Sequence, residues 1–212
     1  MSCEFVLHGF PGSCSIVPQI ALEEAGADYR YALTRIDLGE HVRPAFLALN
    51  PWAKVPVLEV HGHRLAEIPA ITRYLDTLYP EAGLMPRPDD PLRDAISWSV
   101  LSWCSSTLHP LVTRVRRPAI FAGEPHAEAV WAIAAKQLGR QLALADRRLE
   151  GSPWMLGSWS VVDAYLLFIV AKAEEAGIDV GAFRAIAAHT QSMRSRPSVE
   201  RALATEHLAA PR

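Results

Sequence analysis

Hydrophobic and polar positions follow two different periods along this chain, and the change of period divides it into two parts. In the first part, short apolar or alternating runs of strand length, such as 5–7 and 29–36, are separated by turn residues and short helical stretches. In the later part, apolar residues recur at helical spacing almost to the end. A segment with four prolines and a glycine lies between them. The pattern predicts an α/β domain over 1–79, a linker over 80–91 and an all-helical domain over 92–212.

The first domain is predicted to hold a mixed four-stranded sheet with helices packed against it. Its order of elements is β-α-β-(α)-β-β-α, and its last two strands form a hairpin around the turn at Gly62. Pro56 stands at the start of the first hairpin strand, and a cis Val55–Pro56 bond would account for it. The predicted segments are strands at 5–7, 29–36, 55–60 and 64–66 and helices at 15–25 and 69–79.

The second domain is predicted to be a bundle of helices around one apolar helix. Pro110 lies inside the first long helix and is expected to kink or interrupt it. Ser160 and Asp163 have the spacing of a capping box, with Asp in place of the usual Glu. The helix that follows is apolar on nearly all sides, which predicts that it is the buried centre. The predicted helices are 92–117, 125–149, one starting after Ser160, 182–195 and 198–208.

Composition narrows the classes of function. The net charge of −2 over 212 residues gives no electrostatic reason to expect nucleic acid or an anionic membrane as partner. No stretch resembles a signal peptide or a membrane span. Three widely spaced cysteines, Cys3, Cys14 and Cys104, argue against both a zinc site and a disulfide framework. A reducing, cytoplasmic setting without a metal fits this cysteine usage.

The candidate chemistry centres on Cys14, in the stretch 11–15. This stretch joins the first predicted strand to the first predicted helix, so the thiol is expected beside a helix N-terminus. Free N–H groups and the helix dipole at such a place favour the thiolate, which makes Cys14 a candidate nucleophile. The alternative is that Cys14 is a small buried residue with no chemical role.

Several local motifs together resemble those of the cytosolic glutathione transferases. The stretch VPVL at 55–58, followed by LAEIPAITRYL at 65–75, is similar to the segment with which that family binds glutathione. PGSCS at 11–15 resembles PGACS of the bacterial beta class, and GEH at 39–41 resembles the theta and delta classes. SVVDAY at 160–165 resembles the signature of the C-terminal domain. The resemblance covers almost the whole chain and implies a thioredoxin-like N-terminal domain followed by an all-helical bundle.

The resemblance also implies roles for particular residues. Glutathione would be the co-substrate, a small hydrophobic electrophile the second substrate, and the active protein a homodimer. The backbone of Val55, held by a cis Pro56, would pair with the cysteinyl part of the tripeptide like an added strand. Cys14 or Ser13 would stand against the thiol. The other implied contacts are Glu67 and Ile68 with the γ-glutamyl end, His41 and Lys54 with the glycyl carboxylate, and His109 with the sulfur.

This chain departs from the family pattern at two places. The family serine after the acidic residue is Ile68 here, and a lost hydrogen bond to a charged group costs roughly 1.5–3 kcal/mol. The end of the first strand has no tyrosine, so Ser13 or Cys14 must activate the thiol. Four interpretations stay open: a conjugating transferase, a thiol transferase with Cys14 as nucleophile, a non-catalytic binding protein that kept the fold, and a glutathione-dependent isomerase or dehalogenase.

Overall fold

The computed structural model describes residues 5–210 and separates into two compact units. The first comprises the described parts of Met1–Leu84 and of Ser195–Arg212, and the second is Met85–Arg194. Cys3, which enters the cysteine argument above, lies outside the described residues. Within the described range no helix is both long and apolar enough to cross a membrane.

The first unit contains the predicted mixed four-stranded sheet. The strands are β1 (Phe5–Gly9), β2 (Tyr29–Leu33), β3 (Val57–Val60) and β4 (His63–Ala66), in the order β2-β1-β3-β4. β1 runs parallel to β2 and antiparallel to β3, which pairs with β4 as the predicted hairpin. The thioredoxin-like arrangement is therefore confirmed.

Helices of this unit cover the sheet with their apolar residues. They are α1 (Ile16–Glu24), the short α2 (Pro44–Leu47) and α3 (Ile68–Leu78). β1 alternates between buried and half-buried positions, as period-two patterning requires. The side chains that are fully buried here include Phe5, Leu7, Ile20, Leu58, Ile71 and Leu75.

The second unit is helical, as predicted. Its helices are α4 (Pro91–Trp103), α5 (His109–Arg116), α6 (Ala119–Ala122), α7 (Ala127–Arg148), α8 (Val161–Glu175) and α9 (Arg184–Arg194). A π-helical turn, Cys104–Leu108, interrupts the long first helix just before Pro110, where the proline ring has no N–H to give and crowds the preceding turn. α8 is buried along most of its length and is the expected centre of this unit.

The capping box at the start of α8 is confirmed. The backbone N–H of Ser160 donates to Oδ2 of Asp163 at 2.9 Å, and the Ser160 hydroxyl lies 3.1 Å from the same oxygen. Both residues are fully buried. The two residues therefore order the start of α8 from inside the helical unit.

The last helix, α10 (Pro197–Ala209), differs from the predicted domain division. The sequence interpretation placed it in the helical domain 92–212, whereas it belongs to the first compact unit and packs against α1. Its contacts explain why the apolar pattern did not reveal this. Ion pairs join Arg196 to Glu24 and Arg201 to Glu23, each at 2.7 Å, so much of the attachment is polar.

Candidate functional site

The loop that joins β1 to α1, residues 10–15, is organised by a serine that is completely buried. Oγ of Ser15 accepts from the backbone N–H of Phe10 at 3.2 Å and lies 2.8 Å from Oγ of Ser13. The same oxygen is 3.5 Å from the hydroxyl of Tyr31 on β2. Ser13 in turn accepts from the backbone N–H of Ser15 at 3.2 Å. The Ser13 hydroxyl is thus engaged within the loop.

Gly9 makes this arrangement sterically feasible. A Cβ atom at this position would lie 2.6 Å from Oγ of Ser15 and 2.7 Å from the hydroxyl of Tyr31. Such distances are far below van der Waals contact, so any larger residue would displace the serine that holds the loop. The end of β1 therefore requires glycine for the close approach of two hydroxyl groups.

Cys14 occupies the half-buried tip of this loop. Its sulfur lies 3.6 Å from the backbone carbonyl of Val55, to which the thiol donates a weak hydrogen bond. The pKa of Cys14 is raised from 9.0 to about 12, chiefly because the sulfur is buried. The backbone hydrogen bond at Cys14 opposes this increase, and the charge of Glu67 contributes to it. Lys54 acts in the opposite direction, and Glu206 adds to the increase.

This pKa corrects the expectation that the helix N-terminus favours the Cys14 thiolate. Desolvation of the sulfur outweighs the stabilisation from nearby N–H groups, so Cys14 is a thiol at neutral pH. Cys14 is consequently suited to donating a hydrogen bond, and it is poorly suited to being the attacking nucleophile.

The peptide bond between Val55 and Pro56 is cis. Asn50, which is almost fully buried, holds the loop in front of it. Its Nδ2 donates to the backbone carbonyl of Lys54 at 2.8 Å, and its Oδ1 accepts from the backbone N–H of Trp52 at 3.0 Å. The backbone that faces the Cys14 sulfur is therefore fixed in place by one side-chain amide.

The N-terminus of α3 presents backbone groups and a carboxylate. Glu67 is exposed and has a φ of 69°, a left-handed conformation that a side chain rarely adopts. Ile68 begins the helix with its side chain only 4% exposed. Pro69 has no N–H, so the first turn offers the N–H groups of Ile68 and Ala70. Ile68 supplies this backbone donor while its side chain is packed in the interior.

His41 and Lys54 also belong to the first unit. His41 is half-buried in a short 3₁₀ turn, Glu40–Val42, and its Nδ1 is buried with no hydrogen-bond partner among the described residues. Lys54 is exposed and acts electrostatically on the Cys14 thiol. One unit therefore contains Ser13, Cys14, His41, Lys54, Val55, Pro56, Glu67 and Ile68.

His109 lies in the other unit, at the start of α5. Its Nδ1 is 2.8 Å from the hydroxyl of Tyr165, and its ring meets the ring of Phe168 edge to face at 5.2 Å. These two contacts fix the orientation of the imidazole. Its expected approach to the glutathione sulfur stays a prediction.

Sequence reasoning missed three residues that shape this region. Ser15 and Asn50 each have one local signal, a serine at a helix start and an asparagine before a proline. Glu206 of α10 is 94% buried, and its Oε2 accepts from the backbone N–H of Gly12 at 2.9 Å. Glu206 comes four residues after the buried Ala202, so it lies on the packed face of α10. A charged residue on that packed face is the sequence signal that could have identified it.

In the described chain no group of three His, Cys, Asp or Glu residues could hold a metal ion.

Comparison with known proteins points to one family. The family model described as "Glutathione S-transferase, N-terminal domain" matches residues 4–77. The maleylacetoacetate isomerase of Pseudomonas aeruginosa is 31% identical over 191 residues, covering 85% of this chain and 89% of that protein. The glutathione S-transferase GstA of Escherichia coli O157:H7 is 30% identical over 204 residues, covering 93% and 96%.

Solved structures give the same result for the fold. A glutathione transferase of Methylococcus capsulatus is 35% identical, with a TM-score of 0.84 over 96% of this chain and 99% of that one. A sphingomonad glutathione S-transferase complexed with glutathione is 33% identical, with a TM-score of 0.83 over the same shares of the two chains.

Proposed function

Because the chain belongs to the glutathione S-transferase superfamily, we propose that it takes glutathione as co-substrate and joins the glutathione thiol to a small hydrophobic electrophile. One observation supports this most directly. The Cys14 sulfur lies 3.6 Å from the carbonyl of Val55, the residue that precedes the cis Pro56. A tripeptide paired with the Val55 backbone would bring its own cysteine sulfur to the Cys14 thiol.

In this proposal Cys14 acts as a hydrogen-bond donor. Its thiol stays protonated at neutral pH because its pKa is about 12. With glutathione bound, the Cys14 S–H would turn from the Val55 carbonyl to the glutathione sulfur and stabilise the thiolate that remains once the glutathione thiol has lost its proton to water. The thiolate then forms a C–S bond with its electron pair while the bond from that carbon to the leaving group breaks, which releases halide when the electrophile is an aromatic halide. A neutral Cys14 is a weak nucleophile, which favours conjugation over a mixed disulfide between protein and glutathione.

The rest of the tripeptide would be held by groups on the same unit. The γ-glutamyl end would meet the Ile68 N–H at the start of α3, beside Glu67. The glycyl carboxylate would meet Lys54 and the ring of His41, whose Nδ1 has no partner among the described residues. The γ-glutamyl end lacks the family's serine hydroxyl, so we expect weaker binding of glutathione than that serine would give.

A second candidate is a glutathione-dependent isomerase. It is favoured by the 31% identity with a maleylacetoacetate isomerase over 85% of the chain. In such a reaction the glutathione thiolate adds to a cis double bond, the resulting single bond rotates, and glutathione leaves as the trans double bond forms. The same Cys14 donor would serve both reactions, because each begins with the glutathione thiolate.

We extend the proposal to a homodimer that works in a reducing, cytoplasmic compartment. The compartment is supported by the two described cysteines, Cys14 and Cys104, which are both free. The dimer is an expectation from the family resemblance, and sedimentation equilibrium would test it. A monomer at micromolar concentration would overturn that part of the proposal.

The decisive experiment combines binding and turnover. Isothermal titration with glutathione and conjugation of an aromatic halide, followed by absorbance, are measured for the wild type and for Cys14→Ala. We expect millimolar or tighter binding, measurable conjugation, and a lower kcat/KM in the variant. Binding without turnover of either a halide or a cis-dienoic acid would favour a non-catalytic protein. KM values usually do not exceed about 1 mM. The proposal would be overturned if no binding of glutathione were detected at a concentration about tenfold higher than that.

A further inference from the structure

The last helix of the chain supplies a buried acid to the loop that carries Cys14. The Glu206 side chain is only 6% exposed, and its Oε2 accepts from the backbone N–H of Gly12 at 2.9 Å. Gly12 comes two residues before Cys14 and has a φ of 74°, so its peptide group belongs to the turn that presents the thiol. A hydrogen bond that spans 194 positions in the sequence therefore ends at the candidate site.

Contacts between α10 and α1 hold Glu206 in position. Nε2 of Gln19, a fully buried residue, donates to the backbone carbonyl of Ala202 at 3.3 Å. Arg196 donates to the carboxylate of Glu24 at 2.7 and 2.9 Å. These bonds join α10 to α1, the helix that begins directly after residues 10–15, which we call the thiol loop. Glu206 is therefore held against the same helix that follows the thiol loop.

Besides its hydrogen bond to the loop backbone, Glu206 affects the ionisation of nearby side chains through its charge. A carboxylate in a poorly solvated place is weakly screened and acts over several ångströms. It contributes to raising the pKa of Cys14, after burial and Glu67, whereas Lys54 lowers it. It also adds to the effect of burial in raising the pKa of Tyr31, whose hydroxyl contacts Ser15 in the same loop.

We propose that Glu206 is a positioning residue of this site, because it fixes the thiol loop through the Gly12 N–H and places a buried negative charge beside the loop that carries Cys14. The inference rests on the proposed function in one respect only, which is that Cys14 donates its thiol hydrogen to the glutathione sulfur. The fixed loop and the charge are properties of the protein without glutathione.

Three variants separate the two effects. Glu206→Gln keeps an oxygen acceptor for the Gly12 N–H and removes the charge. Glu206→Ala removes both acceptor and charge. Glu200→Gln removes an exposed charge from the same helix and is the matched control. The rate of Cys14 alkylation by iodoacetamide is measured from pH 7 to 10 by peptide mass spectrometry, and hydrogen exchange of the loop amides reports its rigidity.

We expect Glu206→Gln to speed the alkylation of Cys14 while loop exchange stays as in the wild type. When the pKa of Cys14 falls by one unit, the fraction of thiolate rises roughly tenfold, while the nucleophilicity of that thiolate falls about threefold. The alkylation rate should therefore rise about threefold for each pKa unit. Glu206→Ala should speed both alkylation and exchange of the Gly12 amide. Glu200→Gln should change neither.

Two results would overturn the inference. One is a Cys14 alkylation profile in Glu206→Gln that coincides with the wild type. The other is unchanged exchange of the Gly12 amide in Glu206→Ala. Glutathione is absent from both measurements, so a failure of the transferase proposal leaves this test intact. Glutathione titration of the same variants then shows whether the loop serves binding, with a higher Kd expected for Glu206→Ala alone.

Discussion

Nε2 of His189 lies 3.0 Å from Oδ1 of Asp163, and both side chains are completely buried in the helical unit. The same oxygen accepts from the backbone N–H of Met155 at 2.9 Å. Asp163 therefore joins the start of α8, the preceding loop and α9. The capping box predicted from the sequence is one part of a larger network that the sequence pattern did not show.

Replacing Asp163 by alanine should destabilise the protein strongly. The change leaves the backbone donors of Met155 and Ser160 and the ring of His189 buried without their acceptor. Breaking one member of a buried charged network costs about 3–5 kcal/mol. Urea unfolding followed by circular dichroism measures the loss. Glu128→Ala, an exposed acid in the first turn of α7, is the control and should change the free energy of unfolding by less than about 0.5 kcal/mol.

Ile68→Ser should raise the affinity for glutathione while lowering stability. The new hydroxyl can donate to the γ-glutamyl carboxylate, and a hydrogen bond to a charged group is worth roughly 1.5–3 kcal/mol, or about 10- to 150-fold in Kd. Loss of a side chain that is only 4% exposed costs about 2–5 kcal/mol. Calorimetric titration and thermal unfolding measure the two effects.

Ile68→Ala is the matched control for that substitution. It creates a similar cavity without adding a hydroxyl, so its stability should fall while the Kd for glutathione stays as in the wild type. Equal affinities of the serine and alanine variants would show that position 68 does not contact the ligand through its side chain.

The stability of the protein should decrease as the pH rises above about 9. Burial raises the pKa of Cys104 above its ordinary value of 9.0, and Asp163 adds to the increase. The folded state then keeps a proton that the unfolded state releases, so this contribution is complete below pH 9.0 and disappears as the pH rises toward the folded pKa. Urea unfolding at pH 7, 8, 9 and 10 should show the decrease.

Cys104→Ala should make that decrease shallower, although the small cavity lowers stability at every pH. Parallel curves for the wild type and the variant would mean that other groups cause the alkaline loss. Tyr29 and Tyr31 are the natural next candidates, since burial raises the pKa of both.

Local patterns predicted most of the fold and only part of the site. The strands, the interruption near Pro110 and the capping box depend on residues close together in sequence, and all of them are present in the structure. The second strand was predicted too long, because it ends at Leu33 and a 3₁₀ turn begins at Ile36. The long-range bond from Glu206 to Gly12 has no local counterpart. The pKa of Cys14 also depends on burial from several directions, which a motif of five residues does not reveal.

Gly9→Ala should disrupt the thiol loop and reduce glutathione binding. The added Cβ would stand 2.6 Å from Oγ of Ser15, so the serine must leave the position in which it holds Phe10 and Ser13. Overpacking of this kind costs about 1–3 kcal/mol of stability and moves backbone. We expect a higher Kd for glutathione and faster hydrogen exchange over residues 10–15.

Gly139→Ala provides the contrast within the same chain. Gly139 lies inside α7, and apart from its chain neighbours and the backbone of its own helix no atom lies within 4 Å of the added Cβ. Alanine should therefore raise helix stability by as much as about 1 kcal/mol. The two substitutions thus add the same methyl group, but Gly9→Ala is expected to lower the stability of the protein and Gly139→Ala to raise it. Thermal unfolding gives the stability change and calorimetric titration the affinity. A Gly9→Ala protein with unchanged affinity and unchanged loop exchange would show that the hydroxyl network of Ser15 does not control the thiol loop.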